Sequence, residues 1–272
     1  MTTRLRTVWL AAIILFLTAP AASWAQDGLL VTPTSVIFEG RERAKSVTFV
    51  NRSTEPQLFR LSMVNHRQHT DGRRELVDTP LEGEYFADPY IRYSPRQIML
   101  PPGEPQAVRF MLRRPNDLPE GEYRSHLQLM LVPLTEEDTA DGAANGDAGA
   151  DDELAIEIKT VFGVSLPVIF HVGELSFEPR ISAEPLRRTE NGQDVVRVRL
   201  SSEGNRRLSG DVFVVNEEGE AIARRRGTAV YVSTPYRDLD LRLPAGEHGN
   251  LVVELRDRQN GDVLTSANVP PG

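Results

Sequence analysis

The sequence predicts an all-β protein: two immunoglobulin-like β-sandwich domains joined by a short linker, behind a cleaved signal peptide. Three observations lead there. Short alternating or β-branched runs recur along the chain with turn residues between them, the pattern of sandwiches and barrels. Helix start signals are nearly absent, and Pro and Gly punctuate the chain at short intervals. A stretch around His171-Val-Gly-Glu174 then separates one strand-rich block from another.

At the N-terminus, Arg4 and Arg6 precede an apolar run from Thr7 to Leu17, which leads into Ala21-Ala-Ser-Trp-Ala25 with small side chains at Ser23 and Ala25. This is the order of a secretory signal, and it predicts residues 1–25 as the signal and Gln26 as the first mature residue. The apolar run is shorter than the roughly 20 residues of a bilayer-spanning helix. No later segment is longer, so the expectation is a soluble mature chain with no stable membrane insertion.

The first domain is expected over residues 26–171, with strands at Leu29 to Phe38, Ala44 to Asn51, Gln57 to Asn65, Ile91 to Leu100, Gln106 to Leu112, Tyr123 to Val132 and Leu154 to Phe170. Ser46-Val-Thr-Phe-Val-Asn51 and Ala107-Val-Arg-Phe-Met-Leu112 alternate apolar with polar side chains, as strands with one buried face do. Met99-Leu-Pro-Pro-Gly103 and Leu118-Pro-Glu-Gly121 read as tight turns. Residues 134–153 hold no apolar side chain larger than alanine beyond Leu134. Such a stretch cannot offset its ordering entropy, which predicts a mobile acidic loop. Its aspartates lack the regular oxygen-ligand order of a calcium loop.

The second domain is expected over residues 172–272. Its strands are Leu175 to Ile181, Val195 to Ser202, Ser209 to Asn216, Ala221 to Ala223, Thr228 to Val232, Tyr236 to Leu243, Asn250 to Asp257 and Val263 to Asn268. Asn191-Gly192, Glu218-Gly219 and Asn260-Gly261 supply hairpin turns between them.

Chemistry is sparse. The net charge of −8 over 272 residues argues against nucleic acid as a partner. The absence of cysteine excludes thiol catalysis and cysteine zinc sites. His66 and His69 lie close together in a polar segment without a third ligand, which reads as a solvated loop rather than a metal site. Arg224-Arg-Arg226 and Arg187-Arg188 lie next to predicted turns and read as solvated hairpins. No nucleophile elbow or phosphate loop is present. The expectation is a protein that holds another polypeptide, with no catalytic residue, metal or cofactor.

Four stretches resemble a known family. Val31-Thr-Pro-Thr-Ser-Val-Ile-Phe-Glu-Gly40, Phe49-Val-Asn51, Tyr93-Ser-Pro-Arg-Gln-Ile-Met-Leu-Pro-Pro-Gly-Glu-Pro-Gln-Ala-Val-Arg109 and Leu118-Pro-Glu-Gly-Glu-Tyr-Arg-Ser125 are similar to the N-terminal domain of periplasmic pilus chaperones of the PapD-like type. The second block resembles that family in position and strand content alone. The resemblance implies a periplasmic protein whose partners are pilus or fimbrial subunits and an outer-membrane usher. It also implies a strand lent to an incomplete subunit.

That strand is Leu154 to Leu166 here, with Leu154, Ile156 and Ile158 on one face as subunit-binding residues and Ala155, Glu157 and Lys159 on the other. The other reading of these three aliphatic residues is that they serve the protein's own core. In the family a basic pair grips the subunit's C-terminal carboxylate, and its two positions fall on Ser35 and Gly163. Neither is basic, and Lys159 is a candidate substitute about 13 Å along the strand from Gly163. Edge strands also offer a route to self-association. The competing function is an exported sandwich that binds a ligand or joins an envelope complex without lending a strand.

Overall fold

The computed structural model describes residues 28–132, 163–246 and 248–271. The expected signal, the acidic stretch 134–153 and the residues Leu154, Ile156, Ile158 and Lys159 lie outside the described residues. Among the described residues no helix is long and apolar enough to cross a membrane.

The first sandwich is built from β1 (Leu29–Thr32), β2 (Val36–Phe38), β3 (Ala44–Asn51), β4 (Gln57–Val64), β5 (His66–Gln68), β6 (Arg74–Leu76), β7 (Ile91–Ser94), β8 (Gln97–Leu100), β9 (Pro105–Leu112), β10 (Gly121–Val132) and β11 (Gly163–Val172). One sheet runs β1-β3-β9-β7 and the other β2-β11-β10-β4-β8, while β5 and β6 form a separate hairpin. Two expected strands each divide. Leu29 to Phe38 becomes β1 and β2, and Ile91 to Leu100 becomes β7 and β8, with the halves in opposite sheets. Pro33 and Pro95 lie in the gaps. Proline has no N–H for a ladder, and at these places the chain leaves one sheet for the other.

Alternation drives the packing. Val47 and Phe49 on β3, Phe59 and Leu61 on β4, Val108 and Phe110 on β9, and Leu166, Val168 and Phe170 on β11 meet in one buried cluster. Each such side chain contributes about 1.5–3 kcal/mol by leaving water. Asn51 is buried at the end of β3, where its Nδ2 donates to the carbonyls of Glu55 and Leu100 at 2.7 and 2.9 Å. It thereby closes the turn into β4.

The second sandwich comprises β12 (Phe177–Ala183), β13 (Arg187–Arg188), β14 (Asp194–Gly204), β15 (Leu208–Val215), β16 (Ala221–Val230), β17 (Arg237–Arg242), β18 (Val252–Arg256) and β19 (Val263–Asn268). Strand β14 pairs with β12, β13 and β17, and the facing sheet runs β16-β15-β18-β19. Its own core gathers Val196, Val198, Leu200, Val212, Val214, Leu241, Val253 and Leu255. The expected runs Ala221 to Ala223 and Thr228 to Val232 fall in one strand that ends at Val230, and its pairing with β15 shifts register between Gly210 and Val212 and between Val214 and Val215. Arg224-Arg-Arg226 therefore lies inside a strand and not beside a turn. The Arg224 guanidinium sits 4.9 Å from the Phe213 ring and 2.6 Å from Asp211 Oδ2, and these two partners hold it in the sheet.

Candidate functional site: the cleft between the sandwiches and the open edge of β11

Strand β11 is paired along its whole length on one side and along a third of it on the other. It runs antiparallel to β10 from Gly163↔Met130 to Val172↔Gly121. On its far side β2 runs parallel to it only at Val168, Ile169 and Phe170. From Gly163 to Pro167 that edge has no partner among the described residues. Leu166 points into the sandwich and is 2% exposed, so this last residue of the expected lent strand serves the protein's own core.

Strand β10 carries the site's polar groups because both of its faces are covered from Gly121 to Leu127. The odd positions face the sandwich. Tyr123 stacks between Tyr85 and Phe170, with ring centroids at 4.8 and 4.7 Å, and its hydroxyl donates to the Pro119 carbonyl at 3.1 Å. That bond back across the turn is the corner device of immunoglobulin-like sandwiches. Burial, with Tyr90 and Tyr85 adding to it, raises the Tyr123 phenol to about 12. Ser125 Oγ accepts from the Ala87 and Asp88 amides, both at 2.9 Å, and donates to Asn65 Oδ1 at 2.6 Å.

The even positions, Glu122, Arg124 and His126, face the second sandwich. Glu122 lies 3.7 Å from Arg124, 3.6 Å from Arg207 and 3.5 Å from His171. Burial pushes its carboxyl upward, but the His171 hydrogen bond and the charges of Arg207 and Arg124 outweigh this and hold it below the usual range. The Arg124 guanidinium lies 3.4 Å above the Tyr231 ring, where the ring face favours a cation. His126 is driven down to about 2 by burial and then by Arg124. His66 meets its ring edge to face at 4.8 Å and is lowered by burial and by Arg74. His66 is thus a half-buried residue of β5 and not part of a solvated loop. His69 does face solvent, with its Nε2 3.1 Å from Glu75 Oε2. Among the described residues no three His, Cys, Asp or Glu side chains form a metal cluster.

The β5–β6 hairpin fixes the angle of the cleft. Gln68 donates from Nε2 to the Ala229 carbonyl at 3.1 Å and accepts the Tyr231 amide on Oε1 at 3.1 Å, while its own carbonyl accepts Thr234 Oγ1 at 3.0 Å. The Asp238 amide donates to the Thr70 carbonyl at 2.8 Å. Gly72, at φ 85°, lets the hairpin tip press on Arg237, whose guanidinium would lie 2.7 Å from any Cβ there. Asp71-Gly72 between two short runs is a hairpin signal, and it is the one trace of this arm in the sequence.

Between the sandwiches lies a cavity of about 230 Å³. Thr34, Ser35 and Pro167 line it where the open edge of β11 ends, and Arg74, Arg124, Arg207 and Arg258 supply its charge. No carboxylate is among its lining residues. Ser35, one of the two expected anchor positions, is in this wall. Gly163 is not: it lies at the far end of β11, and Met130 crosses it so closely that a Cβ would be 2.9 Å from the sulfur. The two positions are therefore not brought together. The four arginines were missed because their numbers are scattered along the chain and only folding converges them. Arg124, inside the Tyr-Arg-Ser run quoted above, is the one that a sequence reading touches.

No family model matches the sequence, and no curated protein matches it. Solved structures similar to the chain include chaperones of fimbriae and pili. They include the CsuC–CsuE chaperone–tip adhesion subunit pre-assembly complex of Acinetobacter baumannii, at 12% identity and TM-score 0.47 over 90% of this chain and 99% of that one. The E. coli chaperone DraB is similar at 10% identity and TM-score 0.45, over 90% and 97% of the two chains. The Salmonella enterica SafA pilin in complex with the SafB chaperone gives 15% identity and TM-score 0.43, over 89% and 95%.

Proposed function

We propose that this protein is a periplasmic chaperone that holds pilus or fimbrial subunits by strand addition and releases them to an outer-membrane usher. One observation carries the reading: the unpaired edge of β11 from Gly163 to Pro167 continues the line of β2 and ends at an arginine-lined cavity. A strand added there in the sense of β2 runs parallel to β11, and its last residue arrives beside Ser35 and Pro167. Its C-terminal carboxylate then enters a pocket of cations, and the opposite chain direction would bring an ammonium group to the same arginines. Main-chain hydrogen bonds along the edge supply affinity. The arginines stand in for the basic pair that Ser35 and Gly163 lack.

Upstream of Gly163 the alternation of Leu154, Ile156 and Ile158 offers apolar side chains to a groove in the client. The test is co-expression in the periplasm with a small secreted β-rich subunit, followed by sizing of the purified complex. The expected result is a one-to-one complex that Ile156→Asp abolishes by placing a charge in an apolar groove, with the circular dichroism of the chaperone unchanged. A complex that survives Ile156→Asp overturns strand donation and favours an exported binding protein of the same fold.

A further inference from the structure

We infer that the cleft is built to neutralise two negative charges, and therefore that the polypeptide it receives ends in an acidic residue. This rests on the strand-addition reading. The charge inventory carries it. Four arginines face the cavity, and among the described residues two carboxylates lie within ion-pair distance of them. Glu122 is shared between Arg124 and Arg207. Asp211 is already bound by Arg224 at 2.6 Å and by the Gly227 amide at 2.8 Å, and it reaches Arg258 only at 3.5 Å. Arg74 has no carboxylate within ion-pair distance among the described residues. One positive charge is left over in the inner pair, Arg124 and Arg207, and at least one more in the outer pair, Arg74 and Arg258.

Depth separates the two pairs. The side chains of Arg124 and Arg207 are 7% and 17% exposed, and that of Arg258 is 60% exposed. Polar atoms on the inner side lack hydrogen bonds among the described residues: Arg124 Nε, Thr228 Oγ1 and Arg207 Nη1, the last facing Glu122 Oε1 at 3.6 Å, too far for a hydrogen bond, so that this oxygen is unpaired as well. Such groups are costly to leave unpaired. A main-chain carboxylate at the end of the added strand supplies acceptors to the inner set. It leaves the outer arginines at the mouth unmatched, where a side-chain carboxylate on the same terminal residue reaches them. A neutral last residue satisfies only half of this arrangement. A tetrahedral dianion such as inorganic phosphate carries the same total charge, so the shared chemistry is a compact double anion.

The experiment uses the mature full chain and acetylated decapeptides of alternating Val and Thr, labelled for fluorescence anisotropy. They end in Asp with a free carboxylate, Ala with a free carboxylate, Asp amide or Ala amide. The Asp acid is expected to bind about tenfold more tightly than the Ala acid, the Ala amide least, and Arg74→Gln to cut the Asp-over-Ala ratio to about twofold. Arg74 is exposed on β6, and an unchanged thermal midpoint verifies that the variant folds. Equal binding of the Asp and Ala acids overturns the two-charge cleft while leaving strand addition standing. Failure of every peptide to bind overturns strand addition, and a phosphate titration then reads the cleft by itself. Saturable phosphate binding weakened by Arg74→Gln upholds the double charge, and no binding overturns it.

Discussion

The two sandwiches use the same architecture with different cores. The first is aromatic: Phe38, Phe49, Phe59, Phe110, Phe170, Tyr93 and Tyr123 are all in its buried cluster. The buried cluster of the second is Val and Leu alone. Stacked rings have preferred separations and angles that aliphatic side chains lack. In the first sandwich the Tyr85, Tyr123 and Phe170 stack joins β10 to β11 directly behind the cleft. The difference teaches where geometry matters. The domain that offers an edge has its register pinned by rings at one end of β11, while the other end is left open.

Breaking the stack is the most damaging test of that contrast. Phe170→Ala is expected to cost about 3–5 kcal/mol, enough to unfold the first sandwich in a urea titration while the second keeps its own transition. Leu255→Ala in the second core is expected to cost about 2–5 kcal/mol and to leave the first transition in place. A single shared transition in both variants would show that the cleft couples the two sandwiches into one cooperative unit.

Next in size is the buried ion cluster. Glu122→Ala leaves Arg124 and Arg207 buried without the carboxylate they share, and removal of one partner from such a cluster costs about 3–5 kcal/mol at most. The replacement should also raise affinity for anions in the cleft, because one more arginine charge is then unmatched. A variant that is destabilised but binds phosphate no better would show that Glu122 is structural only.

Acid separates the sandwiches further. His126 and His66 are both depressed in the folded state, so unfolded chains bind more protons below the ordinary histidine range. Stability from these two groups is therefore complete above about pH 6.5 and falls as the pH drops below it, by about 1.4 kcal/mol per unit for His126 in mid-range. In the second sandwich the shifted acids Asp194, Asp211, Asp238 and Asp240 are depressed carboxylates, whose contribution is lost only as the pH falls below the usual aspartate range. The first sandwich should lose its near-ultraviolet signal at higher pH than the second, and His126→Gln should narrow the gap. Loss of both together above pH 5 would contradict the assignment.

The parts of this molecule that a sequence reveals are those governed by neighbours along the chain. Ala44 to Asn51 and Val263 to Asn268 were legible to the residue, because alternation and flanking turns are local. The division of Leu29 to Phe38 was not, since alternation continues through Pro33 and only the packed sheets reveal that the strand changes partners. The β5–β6 arm escaped because its stability comes from Gln68 reaching Ala229 and Tyr231 some 160 residues away. The same holds for the cleft. Arg74, Arg124, Arg207 and Arg258 look like surface charges one at a time, and their meaning is a distance that only the fold sets.

The smallest expected effect lies on the outer face of the second sandwich, where β14 and β17 carry a ladder of ion pairs. Arg197 meets Asp240 at 2.8 Å and Arg199 meets Asp238 at 2.7 Å, each through two guanidinium nitrogens. The side-chain hydrogen bond to Asp238 raises the Arg199 guanidinium well above its ordinary value, yet its side chain is 49% exposed and solvent screens the pair. A double-mutant cycle on Arg199 and Asp238 is expected to give a coupling of about 0.2–1 kcal/mol, shrinking in 1 M salt as the Debye length falls to about 3 Å. A coupling as large as the loss from Glu122→Ala would erase the distinction between a solvated face and a buried cluster. That distinction separates the arginines of both sandwiches that converge on the cleft from the ladder of β14 and β17, which is a solvated surface.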